Sequence, residues 1–223
     1  MCGTDRRHSR RSPRGLGLAE TLVVCFIFTL ISGLCVLASI TGFRMFSQTN
    51  ARQALQRDAG AVFAWLERDI ESSNLTFNVV ESRMVDTNHR DRLAVGGLGS
   101  WTEPIKTDGM GHPAWDRVVV YEATRETEDG QLLRKVTDVA ASRLPLTTAT
   151  VVDIMTNVGS TFDVRRLAGG VRNFEVIKSV GLESVQVKMI LTQRTTEVGS
   201  HNARTEVLEV QSSVRPRNTF PRL

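Results

Sequence analysis

Polarity changes character along this chain. Residues 1–15 are polar and rich in arginine, residues 21–43 carry no charged side chain, and residues 44–74 interleave charges with apolar positions. As a helix the uncharged run would extend roughly 35 Å, against a bilayer hydrocarbon core about 30 Å thick. It contains no proline, so nothing in it forces a kink. In "RMFSQTNARQALQRDAGAVFAWLERDIESSN", residues 44–74, Leu55, Ala59, Val62, Leu66 and Ile70 share one face at the helical period. Arg57, Glu67, Arg68 and Glu71 lie away from that face, Asp58 and Asp69 flank it, and Ser72, Ser73 and Asn74 supply a stop. The pattern predicts that this segment continues the membrane helix. Its stripe is expected to pack on a sheet rather than to line a cofactor site.

Strand patterns dominate afterwards. "LTFNVVESRMV" (75–85) reads as a first strand, and residues 86–116, rich in Gly, Asp, His and Pro, read as a long irregular excursion. "RVVVYEA" (117–123) and "LLRKVTDV" (132–139) read as a hairpin around Asp129 and Gly130. Within 140–170, "ASRLPL" and "MTNVGSTFD" read as loops and "TATVVDIM" as a short helix. Three later runs each place apolar residues on one face: Phe174, Val176 and Val180; then Val185, Val187, Met189 and Leu191; then Leu208, Val210 and Val214. Their short links predict an antiparallel meander with one buried face. The class expected is α+β.

Charge and cysteine usage narrow the chemistry. The formal net charge is +4. Arg6, Arg7, Arg10, Arg11 and Arg14 against Asp5 account for all of it, leaving the rest of the chain neutral. The high pI therefore belongs to the N-terminal segment and gives no support to nucleic-acid binding. Cys2 lies in that segment, Cys25 and Cys35 lie in the apolar run, and residues 44–223 have none. That part can form no disulfide and no thiolate metal site. There is no HExxH, GxSxG, P-loop or CxxC motif. "GGLG" (96–99) lacks the dinucleotide fingerprint and reads as a turn. His89, His112 and His201 are far apart in polar loops and read as surface histidines. "DTNHRD" (86–91) puts Arg90 where a calcium loop needs an oxygen, although a calcium site drawn from separate loops stays open. Trp101 and Trp115 read as packing anchors of the excursion, and "RETED" (125–129) reads as a solvated turn. No catalytic residue, metal or cofactor is expected.

One acid is conspicuous. Glu20 immediately precedes the uncharged run, where an unpaired carboxylate is costly unless it lies among headgroups. The run is longer than the about 7–15 residues of a secretory h-region. "SRRSPRG" lacks the apolar residues of a twin-arginine signal, and Val24 and Leu34 preclude a lipobox before either membrane cysteine. Five arginines upstream keep the N-terminus cytoplasmic by the positive-inside rule.

The sequence "G-LGLAE-TLVV", after a basic leader and before a long apolar helix, resembles the class III signal of type IV prepilins and type II secretion pseudopilins. The resemblance implies a basic leader (1–15), a transmembrane helix (16–43), its amphipathic continuation (44–74) and an extracytoplasmic β-rich pilin-like domain (75–223). It implies that a prepilin peptidase cuts between Gly15 and Leu16 and methylates the amine of Leu16, with Glu20 fifth in the mature chain. Leucine in place of the usual Phe or Met at the first mature position is the one departure. Cleavage after Gly17 would leave Glu20 third and is rejected. In an assembled filament the implied role of Glu20 is to meet the Leu16 amine of a neighbouring subunit, fixing axial register. "ALQRDAGAVFAWLERDIESSN" and "LAGGVRNFEV" with "VRPRN" further resemble J-type minor pseudopilins or PilW-like minor pilins, whereas Glu20 argues against the K-type tip subunit. The implied partners are the peptidase, other pilins or pseudopilins and the inner membrane. The competing expectation is a signal-anchored extracytoplasmic enzyme or binding domain with an uncleaved N-terminus.

Overall fold

A computed structural model describes residues 17–98, 115–124, 130–139, 148–156, 162–179, 181–196 and 203–217. The chain divides into two compact units, Met1–Phe46 and Ser47–Leu223. Helix α1, Leu18–Glu71, runs without interruption from the first into the second.

In the second unit α1 buries Ala51, Leu55, Ala59, Val62, Leu66 and Ile70, the stripe read from the sequence. The helix ends where predicted. The Ser72 amide bonds to the Arg68 carbonyl at 3.1 Å and the Ser73 amide to the Ile70 carbonyl at 3.0 Å. The Arg217 amide takes the orphan Glu71 carbonyl at 3.0 Å, which ties the segment following the last strand to the helix end.

Two antiparallel sheets receive the stripe. The first comprises β1 (Asn78–Glu81), β4 (Arg92–Gly97), β5 (Arg117–Ala123), β6 (Leu132–Asp138) and β7 (Asp163–Ala168), in that order. The second is the predicted meander of β8 (Val171–Ser179), β9 (Ser184–Thr196) and β10 (Ala203–Val214). Leu93, Val95, Val119 and Tyr121 of the first join Phe174, Val187, Met189 and Leu191 of the second in one core with the α1 stripe. The opposite face of the five-stranded sheet carries a smaller core of Ala94, Val118 and Val120, covered by Ile154 of helix α2 (Thr148–Thr156). The arrangement is α+β, a long N-terminal apolar helix packed on antiparallel sheets.

Three expectations need correction. Residues 75–85 are not one strand: a 3-10 turn at Leu75–Phe77 precedes β1, and the chain leaves the sheet at Ser82. There the Asp91 carboxylate accepts from the Arg83 amide at 3.0 Å and the Ser82 hydroxyl at 3.3 Å. The chain then forms a separate ribbon of β2 (Met84–Val85) and β3 (Asn88–His89), turned at Asp86 with φ of 55°. Residues 86–116 are also not irregular throughout, because β4 lies within them and pairs with both β1 and β5. Its Gly96 and Gly97 look like a turn in the sequence. Gly96 is a close approach instead, since a Cβ there would stand 2.8 Å from Phe77 Cβ. Finally, "FD" of the supposed loop 155–163 leads into β7, an edge strand whose first four residues are exposed. The turn residue Asp129, and Val180 of the predicted meander face, lie outside the described residues.

Candidate functional site: an exposed apolar helix begun by a carboxylate

Every large apolar side chain from Leu18 to Phe46 is exposed, Phe28 by 70% and even Ile40 by 41%. A continuous apolar sleeve of this extent is rare on a water-facing surface. Among the described residues, α1 is the one helix long and apolar enough to cross a bilayer. Its hydroxyls fit such surroundings. Thr21, Thr29, Ser39 and Thr41 each donate to a carbonyl of the preceding turn at 2.8–2.9 Å. Their polar atoms are thereby satisfied without outside partners.

Glu20 is the single acid in the first turn of α1. Its carboxylate accepts the Gly17 amide at 3.1 Å, while the Gly17 carbonyl takes the amides of Glu20 and Thr21 at 2.9 and 3.1 Å. This is the returning half of a capping box, which satisfies an orphan donor and places negative charge at the positive end of the helix dipole. The acid therefore has a local role in the isolated chain. Gly15 and Leu16 lie outside the described residues.

Three polar clusters are prominent among the described residues of the second unit. In the first, Glu122 on β5 receives Arg83 at 3.1 Å, Arg92 at 2.7 Å and Lys135 at 2.6 Å, with Glu81 on the far side of Arg92 at 3.1 Å. Burial opposes the charge on Glu122, but the bonds from Lys135 and Arg92 outweigh it and hold its pKa below the ordinary value. In the second, Asp69 of α1 accepts Tyr121 OH at 2.5 Å and a two-pronged contact from Arg134 at 2.8 and 3.2 Å. Burial drives the Tyr121 phenol far above its ordinary range, and the Asp69 charge adds to the shift. Burial works against Arg134, yet its bonds to Asp69 leave its pKa raised. In the third, buried Asp91 also accepts the Val176 amide at 2.9 Å, joining the start of β4 to β8.

Glu122, Asp69 and Asp91 each have both oxygens engaged by donors, so the clusters fasten helix to sheet and strand to strand. Sequence reading placed Asp69 beside the apolar stripe without finding its partners on β5 and β6. His89 also differs from the surface histidine expected. It is half-buried against β8, with Nδ1 3.6 Å from Asp91 and Nε2 3.9 Å from Glu175. Trp115 is buried and its ring lies 5.4 Å from that of Phe77, as a packing anchor. Among the described residues no group of three His, Cys, Asp or Glu side chains is arranged to hold a metal ion. His112, His201 and Trp101 lie outside them. Compared with known proteins, the chain matches no family model, no curated protein and no solved structure.

Proposed function

We propose that this chain is a structural subunit, a minor pilin or pseudopilin, of a membrane-anchored filament of the type IV pilus or type II secretion kind. Its leader is removed between Gly15 and Leu16 by a prepilin peptidase, the Leu16 amine is methylated, and the subunit helps to start or cap the filament from the inner membrane. The observation that carries the reading is the helix itself. A wholly exposed apolar surface from Leu18 to Phe46, opened by a lone acid and continuous with a helix whose stripe lies under two sheets, suits a segment that moves from lipid into a bundle of like helices. The work is packing and register, with no turnover. The donor-bound carboxylates of Glu122, Asp69 and Asp91 agree with that reading.

The test is N-terminal mass spectrometry of the protein from cells with and without their prepilin peptidase. The expected result is an N-methylated chain beginning at Leu16 in the first and the full arginine leader in the second. Recovery of the intact leader in the presence of active peptidase would sink the proposal. One observation favours a second reading, a signal-anchored extracytoplasmic domain. The Gly17–Glu20 hydrogen bond at 3.1 Å gives the acid a purpose that needs neither cleavage nor assembly.

A further inference from the structure

Trp65 of α1 has three arginines around its ring. The guanidinium carbons of Arg134, Arg165 and Arg68 lie 4.6, 5.2 and 5.6 Å from the ring centroid. They come from β6, β7 and α1, so the tertiary fold brings them together. Asp69 neutralises Arg134. Among the described residues no carboxylate comes within ion-pair distance of Arg68 or Arg165. Both arginines are exposed, as is Asp163 on the same face of β7, which pairs with neither. An aromatic face holds guanidinium groups in place without cancelling their charge. Like charges fixed side by side repel, and an arriving anion would relieve the repulsion.

β7 ends the five-stranded sheet, and among the described residues no strand pairs with its outer edge. It has no proline, and its one bulge, in which Leu167 is the extra residue opposite Leu132 and Leu133, lies beyond the Asp163–Arg166 stretch. An open edge offers a row of amides and carbonyls to an extended chain. A second copy of β7 is a poorer occupant: in a parallel register Arg165 and Arg166 face their own kind, which is destabilising, and the antiparallel register that sets Asp163 against Arg165 supplies no acid to Arg68.

We infer that the β7 edge and the arginine-flanked Trp65 surface together dock an acidic, extended segment of a partner protein. The segment would add a sixth strand to the sheet and place alternate carboxylates on Arg165 and Arg68. A free phosphate or a nucleic acid could use the charges but has no use for the strand edge, which is why a peptide is the better fit. The inference does not depend on the filament reading.

The experiment uses the full chain in detergent micelles and a short labelled peptide alternating Glu with Val. Its comparators are the peptide with Lys replacing Glu and a single-stranded oligothymidylate. The expected result is saturable binding of the Glu peptide only, weakened at least about tenfold by Arg165→Glu or Arg68→Glu and unchanged by Arg57→Glu, which lies about three helical turns before Arg68 on α1 and beyond reach of β7. Hydrogen exchange of the Val164–Arg166 amides should slow when the peptide binds. Both arginines are exposed, so unchanged circular dichroism will exclude misfolding as the cause of lost binding. Absence of binding, equal binding of the Lys peptide, or oligothymidylate binding with the same arginine dependence would each overturn the inference. Glu-peptide binding without slowed exchange at β7 would overturn the added strand.

Discussion

Glu122 is held by three cations from three different stretches of chain, and its removal should be felt in two ways. Glu122→Gln leaves Arg83, Arg92 and Lys135 partly buried without their shared anion. Such one-sided breakage of a buried pair costs about 3 kcal/mol, read as lower thermal stability at neutral pH. The pH response has a definite sign. The folded pKa of Glu122 lies below its ordinary value of 4.5. Its contribution is therefore complete above that value and fades as pH falls through the lower, folded one. The stability gap between wild type and Glu122→Gln should narrow below about pH 4.5. A gap constant from pH 7 down to pH 3 (an about four-unit sweep) would show that the network is not what titrates. Tyr121→Phe is a milder case. It removes one donor from Asp69 while Arg134 keeps two contacts with it. A loss of about 1.5–3 kcal/mol is expected for a hydrogen bond to a charged acceptor, with little change in fold by circular dichroism.

At the scale of elements, the α1 stripe is the hinge of the second unit's stability, because it is the surface on which both sheets meet. Leu66 is fully buried, and Leu66→Ala should cost about 2–5 kcal/mol, against a near-neutral Ala64→Ser on the exposed side. Gly96→Val should also destabilise, by about 1–3 kcal/mol, because the new side chain meets Phe77 at the β1–β4 junction. A paired Phe77→Ala should restore part of that loss if the clash is its cause. These positions also explain which elements could be read from sequence. The stripe and the strands β8, β9 and β10 bury one face, and one-sided burial leaves a period in the sequence. β4 is paired on both sides and covered on both faces, so its short apolar run and two glycines have no period to display. β7 begins with four exposed residues, so it shows none either. Glu20 stands out in the sequence because it borders the uncharged run and is spaced five residues from Gly15, whereas its bond to Gly17, only three residues away, is a local contact that the sequence reading does not include. Asp69 and Arg134 are 65 residues apart, and the Trp65 platform spans three elements. Such contacts depend on a register that local pattern does not contain.

For the molecule as a whole, the issue is whether Glu20 serves its own helix or a neighbouring subunit, and the two roles make different demands on the side chain. Capping needs an acceptor of the right length, which glutamine supplies as well as glutamate. Pairing with an amine inside an apolar helical bundle needs a full negative charge, because an ammonium left without its counter-ion there is heavily penalised. Glu20→Gln separates the roles, since it preserves the bond to Gly17 and deletes the charge. Glu20→Ala deletes both, and Glu20→Asp keeps the charge on a shorter arm. If the acid pairs between subunits, Gln and Ala should fail to enter filaments to a similar degree, Asp should retain partial entry, and all three should still be cleaved at Gly15 and fractionate with the membrane. If the acid only caps its helix, Gln should behave as wild type in every assay, and the loss of the weak dipole contribution would be too small to prevent assembly. The measurement is the amount of each variant recovered in sheared or cross-linked filament fractions, normalised to cleaved protein in the membrane. In a filament of the kind proposed, wild-type incorporation of Glu20→Gln would remove the electrostatic register and leave helix packing alone to set the axial rise.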